Sequence, residues 1–205
     1  MTTLYEMFPT RSQRVKWMLE EIGLHYDTST VDTRSGGHRS LEYTAVNPMQ
    51  VVPTLQTADY KIHESVAIVL QLADEHQKAG LAPPIGTSDR ARYYQWCVFG
   101  SAELDFPIGL ITQNELLLPE DERSETLGQL GRELFSKRAN ILSAALGDEP
   151  YILGHEFSGA DIVLGYNCFW STFTGLLDDQ PVLMAYLKRL QDRSAFQRAF
   201  AEPGN

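Results

Sequence analysis

A helical pattern held between two short strand patterns at the N-terminus constrains this chain more than any other feature. Residues 2–7 have the alternation of a strand. In 11–22, Val15, Met18, Leu19 and Ile22 stand at i, i+3, i+4 and i+7, which is one apolar face of a helix. Gly23 follows where the position after a helix favours positive φ. Residues 26–31 then read as a second strand. Two strands separated by a helix cannot form a tight hairpin, so the spacing predicts a βαβ unit with parallel strands and a right-handed crossover.

The first half continues in the same short rhythm. After Gly36-Gly37, residues 39–46 predict a short helix. Residues 52–56 and 60–63 predict two strands joined by Thr57-Ala58-Asp59, a connection of hairpin length. Pro53 opens the third strand, where a missing N–H is tolerated. The run from Ser65 is helical, with Ser65 as its N-cap. Gly80, Pro83, Pro84 and Gly86 then interrupt every regular period. The chain therefore divides into an α/β domain over 1–79 and, past this linker, an all-α domain over 88–205. The second domain carries helical segments at about 88–115, 121–146, 159–176, 180–192 and 194–201. At 157–162, Ser158 and Asp161 are spaced as a capping box with Phe157 and Ile162 as its staple, a structural feature.

Composition narrows the function. In 205 residues, 43% hydrophobic and 21% charged positions describe a chain that folds. A formal net charge of −10 argues against a nucleic acid or an anionic membrane surface as partner. Cys97 and Cys168 form no CxxC, and no basic segment leads into an apolar run, so a soluble cytoplasmic protein is expected. The sequence has no GxGxxG after the first strand, no GxxxxGK[ST], no HExxH and no GxSxG. The five histidines are scattered singly, and no metal is expected.

Two junctions in the first half offer chemistry. Thr10-Arg11-Ser12 lies between the first strand and first helix, at the carboxyl end of a strand, where open α/β sheets bind ligands. Unpaired N–H groups and the positive end of the helix dipole favour an anion there. Hydroxyls of Thr10 or Ser12 can donate to a thiolate, with Arg11 adding positive charge. Thr10 and Gln13 are also spaced as a capping box. At Glu64-Ser65, a hydroxyl and helix N–H groups suit a carboxylate while the Glu64 charge suits an ammonium. Ser65 as a plain cap and Glu64 as a solvated side chain are the alternative.

The order of LYEMFPTRSQRVKWMLEEIGLHY, NPMQVVPTL, HESVAIVLQLADE, GLAPPIGTSDRARYYQW, FSGADIVLG and RSAFQRAFAE resembles the cytosolic glutathione transferase family over nearly the whole chain. The resemblance implies a thioredoxin-like N-terminal domain, an all-helical C-terminal domain and a homodimer. It implies glutathione as co-substrate, with Glu64-Ser65 holding the γ-glutamyl end, Pro53 cis, and the Val52 backbone pairing with the cysteinyl part. Where the family often has a basic residue for the glycyl carboxylate this chain has Val51, and Gln50 or His38 is expected to substitute. For thiol activation the resemblance points to Thr10, then Ser12, then Tyr5.

The energetics allow this without a metal or general base. Lowering a thiol of pKa ~8.5 by ~2 units takes ~2.7 kcal/mol. A hydrogen bond to a charged acceptor gives ~1.5–3 kcal/mol and a helix N-terminus ~0.3–1 kcal/mol. The expected activity is glutathione conjugation to small hydrophobic electrophiles, as in detoxification. Glutathione-dependent peroxide or disulfide reduction, and a non-catalytic binding protein of the same fold, are the alternatives.

Overall fold

The structure, a computed structural model, describes residues 1–202. The chain forms two compact units. One is Met1–Ala82 together with the described residues from Arg193 on, and the other is Pro83–Asp192. Position 205, drawn from the sequence as the end of the helical domain, lies outside the described residues.

In the first unit β1 (Thr3–Glu6), α1 (Ser12–Ile22) and β2 (Asp27–Thr30) form the expected strand–helix–strand, with β1 and β2 parallel. A single helical turn at Gly37–Arg39 and α2 (Leu41–Val46) replace the one helix expected over 39–46. Then come β3 (Thr54–Gln56), β4 (Lys61–His63) and α3 (Ser65–Glu75). The sheet order is β2-β1-β3-β4, with β3 antiparallel to both β1 and β4. Leu4 on the inner strand β1 is fully buried, as are Val15, Met18 and Leu19 on the apolar stripe of α1. Gly23 closes α1 at φ 74, and its N–H donates to Leu19 at 3.0 Å. A side chain there would be strained, which is why glycine ends this helix.

The terminal helix is where the structure departs most from the sequence reading. Helix α9 (Ser194–Phe200) packs on α1 within the first unit, although its segment was assigned by sequence to the all-helical domain. Trp17, fully buried on α1, meets the Phe196 ring edge-on at 4.9 Å and that of Phe200 at 5.9 Å. Arg193 makes a bidentate pair with Glu21 at 2.7 and 2.8 Å, and Arg198 pairs with Glu20 at 2.6 Å. A tryptophan on α1 needs an apolar cover that the four short strands do not supply, and α9 provides it.

The second unit contains α4 (Ser88–Phe99), α5 (Asp105–Ile111), α6 (Glu125–Leu146), α7 (Gly159–Ser171) and α8 (Pro181–Gln191). The single helix expected over 88–115 is interrupted by wider π turns at Gly100–Leu104 and Thr112–Leu117. Pro107 supplies a reason for the first interruption. It has no N–H for the carbonyl four residues back, and a π turn just before it relieves that mismatch. Gly100 lies so close to α7 that an added Cβ would stand 2.5 Å from Val163 Cγ1. That approach lets Asn167 donate to the Gly100 carbonyl at 3.2 Å and to Asp105 at 2.7 Å.

At the start of α7 the Asp161 carboxylate is buried and accepts from Ile152 N–H, Ser158 N–H, the Ser158 hydroxyl and the Tyr186 hydroxyl, at 2.7–2.9 Å. Burial pushes its pKa up and these donors oppose the shift. Replacing Asp161 by Ala strips several buried donors of their acceptor. It should lower unfolding free energy by about 3–5 kcal/mol in urea titrations; an unchanged midpoint would show that this box does not anchor α7.

Candidate functional site

Strand register gathers the chemistry at one end of the sheet. Tyr5 pairs with Thr54 and Thr54 with His63. The residues after β1, before β3 and after β4 therefore share that end. These are Met7 to Ser12, Val52-Pro53 and Glu64-Ser65.

At the first junction the hydroxyls of Thr10 and Ser12 stand 2.8 Å apart. Thr10 Oγ1 also lies 2.6 Å from the Met7 carbonyl oxygen and accepts from Ser12 N–H at 3.2 Å. The capping box expected from Thr10 and Gln13 is half made. Gln13 Oε1 accepts from Thr10 N–H at 2.9 Å, whereas the cap position of α1 falls on Arg11 and the Thr10 hydroxyl turns to Met7. Ser12 is fully buried, Thr10 is half-buried, and Arg11 is exposed. Tyr5 is placed differently. Its hydroxyl is 3.4 Å from Gln56, the residue that pairs with Thr3, and so points away from this corner.

At the second junction the Val52–Pro53 peptide is cis. The Val51 carbonyl accepts from the Tyr43 hydroxyl at 2.7 Å and Asn47 Nδ2 at 2.8 Å, and both side chains also bond Thr54 Oγ1. Asn47, Tyr43 and Thr54 are all buried, so this loop is held from beneath. Burial raises the Tyr43 pKa, which keeps its hydroxyl a donor. Among the described residues neither the Val52 N–H nor its carbonyl has a hydrogen-bond partner, and the residue is only half-buried. An extended peptide can pair with such a backbone as a strand does.

The third junction corrects a sequence expectation. Glu64, not Ser65, occupies the cap position of α3, at φ 72 with its side chain exposed, and Ser65 is the first helical residue. Glu64 and Gln50 are the non-glycine residues with positive φ among those described, and both belong to the expected site. Such strain clusters at ligand sites. Ser65 is buried, and its Oγ accepts from Arg14 Nη1 at 3.3 Å. Gln50 turns its amide N–H to Thr44 Oγ1 at 3.2 Å. His38 sits in the Gly37–Arg39 turn with a buried Nδ1 that has no hydrogen-bond partner, and no hydrogen bond joins it to the three junctions.

Sequence reasoning missed Arg14, Tyr43 and Asn47. Arg14 is fully buried, a cation brought under the Glu64-Ser65 junction. The signal was its place four residues before Met18 on the apolar stripe, where a charge implies a buried partner. Nothing local marks Tyr43 or Asn47, because their partners come from the β3 entry. The cysteines offer no nucleophile here. Neither forms a disulfide, both are buried in the helical unit, and burial pushes the Cys168 thiol up to about 12. Among the described residues no group of His, Cys, Asp or Glu is arranged to hold a metal ion.

A mixed four-stranded sheet of this order, followed by an all-helical unit, defines the class as proteins of the glutathione transferase fold. Residues 1–74 match the family model "Glutathione S-transferase, N-terminal domain". The crystal structure of a glutathione transferase from Methylococcus capsulatus is similar at TM-score 0.87 and 30% identity, covering 98% of this chain and 97% of that one. Glutathione S-transferase F10 of Arabidopsis thaliana is 26% identical, over 98% of this chain and 96% of its own length. Tetrachloro-p-hydroquinone reductive dehalogenase of Sphingobium chlorophenolicum is 25% identical, over 94% and 92%. This chain belongs to the glutathione S-transferase family of enzymes. No described helix is long and apolar enough to cross a membrane.

Asn47→Ala removes a donor from both the Val51 carbonyl and Thr54 Oγ1. Unfolding free energy should fall by about 1–3 kcal/mol; a loss below about 0.3 kcal/mol would mean the loop is held by other contacts.

Proposed function

We propose that the chain binds glutathione across the three junctions and holds its sulfur as the thiolate, for attack on small hydrophobic electrophiles. The γ-glutamyl group lies at Glu64-Ser65. The Ser65 hydroxyl and the first N–H groups of α3 take its carboxylate, with the Arg14 charge behind them, and Glu64 takes its ammonium. The cysteinyl part pairs with the Val52 backbone against the Pro53 turn. The glycyl carboxylate falls toward Gln50 and His38, since Val51 carries no charge. The sulfur then meets Thr10 at the N-terminus of α1, with Arg11 adding positive potential.

The observation that carries this reading is the half-buried Thr10 hydroxyl, whose oxygen already accepts from Ser12 N–H and whose proton faces acceptors only. That hydrogen bond and the helix end together supply the ~2.7 kcal/mol needed for a mostly ionised thiol near pH 7. Ser12 and Tyr5 rank behind Thr10, the first being fully buried and the second directed to Gln56. We infer a homodimer working in the cytoplasm, in keeping with exposed apolar side chains such as Met49 and Phe106 and with two buried cysteines that form no disulfide. The relation to a reductive dehalogenase favours a second reading of the same thiolate, glutathione-dependent reduction, in which the electrophile leaves reduced and glutathione ends as the disulfide. Product analysis separates them: a thioether marks conjugation and oxidised glutathione marks reduction.

Titrating reduced glutathione into the protein in a calorimeter should give saturable heat, and the bound tripeptide should show thiolate absorption at neutral pH. No heat and no thiolate band would remove both enzymatic readings and leave a protein with the fold alone. Ser65→Ala should weaken binding about tenfold or more, the loss of a charge-assisted hydrogen bond; unchanged affinity would place the γ-glutamyl end elsewhere. Thr10→Val should lower kcat by at least about tenfold with little change in affinity, and wild-type turnover would exclude Thr10 as the activating group.

A further inference from the structure

Two helices of this chain close their first turn with the same backbone bond, made by different side chains. At the start of α7, Asp161 accepts from the N–H of Ser158, three residues earlier, at 2.9 Å. At the β1–α1 corner, Gln13 Oε1 accepts from the N–H of Thr10, again three residues earlier, at 2.9 Å. An acid is favoured at a helix N-terminus because its charge meets the positive end of the dipole. Acids stand in the first turns of α2, α4, α6 and α7, as Glu42, Asp89, Glu125 and Asp161. The first turn of α1 has none.

Glutamine is the more demanding way to make this bond. Gln13 is fully buried, and among the described residues its Nε2 has no hydrogen-bond partner. A buried donor left unmade is destabilising. A carboxylate of the same reach would accept the Thr10 N–H, be drawn by the dipole and carry no donor to leave unmet. On hydrogen bonding and dipole alone, glutamate is the better fit. What it would oppose is the positive potential at the end of α1, where the Thr10 hydroxyl stands. The charged side chains nearest in the chain are Glu6, buried on β1, Arg11, exposed, and Arg14, buried and bonded to Ser65. A carboxylate at 13 would join Glu6 and offset the arginines, and a like charge disfavours an anion. Gln13 also holds the Thr10 backbone and not its hydroxyl, which donates with the Met7 carbonyl at 2.6 Å and Ser12 Oγ at 2.8 Å as acceptors. The hydroxyl can therefore turn to a new acceptor without losing the anchor.

We propose that Gln13 is a positioning residue chosen for its neutrality: its carbonyl anchors the Thr10 backbone beside the sulfur of bound glutathione, and its lack of charge leaves the positive end of α1 to the thiolate. The inference rests on the glutathione reading above and adds a residue to it. Gln13, fully buried, acts through Thr10 and through the potential at the helix end. The thiol proton leaves to water and the sulfur keeps the electron pair, so the group at 13 neither gains nor loses a proton.

The test is the pH titration of the thiolate band of bound glutathione, with affinity and urea unfolding measured in parallel. The proteins are the wild type, Gln13→Glu, Gln13→Met, Thr10→Val and each change at 13 combined with Thr10→Val. Gln13→Glu keeps the acceptor and adds a charge. Its urea midpoint should equal or exceed that of the wild type, while the thiolate fraction below the titration midpoint falls about three- to tenfold, ~0.5–1 pKa unit. That shift should persist in the Thr10→Val background, because a charge acts without the hydroxyl. Gln13→Met removes the acceptor and adds no charge. It should lower the thiolate fraction about threefold, keep glutathione affinity within about twofold, and add nothing once Thr10 is replaced. A wild-type titration in Gln13→Met, or an equal further loss in its double variant, overturns the anchoring role. A wild-type titration in Gln13→Glu overturns the part played by neutrality. Either result leaves glutathione binding intact, and each variant covers a failure of the other to fold. Absence of heat and of the thiolate band in the wild type overturns the glutathione reading and this inference together.

Discussion

Everything at the candidate site depends on the position of β1 between a parallel and an antiparallel neighbour. Parallel pairing with β2 requires a crossover, and the crossover is α1, whose first turn is thereby fixed beyond the carboxyl end of β1. Antiparallel pairing with β3 brings the entry of that strand to the same end, and the β3–β4 pairing returns the chain there once more. Three loops distant in sequence thus converge on one end of the sheet. A one-residue slip of β3 would send Leu55, fully buried opposite Leu4, to the other face, so packing of the core also locks the site.

That shared end is electrically suited to an anionic, extended ligand. The starts of α1 and α3 lie there with the positive ends of their dipoles, and the buried Arg14 guanidinium lies between, bonded to Ser65. The formal charge of the chain is −10. Against that net charge, the two helix N-termini at the shared end favour an anion locally. The backbone contributes as much as the side chains: Val52 offers an unpaired N–H and carbonyl, and Glu64 and Gln50 hold backbone conformations that non-glycine residues rarely adopt.

Much of this was legible in the sequence because local chemistry and the global fold agree. The stripe from Val15 to Ile22, the stop at Gly23 and the hairpin-length Thr57-Ala58-Asp59 each signal an element that formed, within a residue or two at its ends. Thr10, Ser12, Pro53, Glu64 and Ser65 stand at junctions that periodicity alone locates. What escaped depends on long-range partners. Asn47 and Tyr43 matter through Val51 and Thr54, and α9 left its expected domain because Trp17 and Glu21, far earlier in the chain, receive Phe196 and Arg193. The Ser65 cap was misassigned because Glu64 takes a positive φ that its residue type argues against. The break of the long helix after Phe99 was missed because a proline inside a helical pattern announces a disturbance without saying that a π turn will absorb it.

The central claim is that the sulfur of glutathione sits against the Thr10 hydroxyl, with the cysteinyl backbone paired to Val52. A crystal structure of the protein with reduced glutathione tests it most directly. The account predicts that Thr10 Oγ1 is the oxygen nearest the sulfur, within hydrogen-bond reach and no longer directed at the Met7 carbonyl, while Val52 bonds the cysteinyl N–H and carbonyl. A sulfur nearer to Tyr5 or Ser12, or a tripeptide bound without Val52, would contradict it.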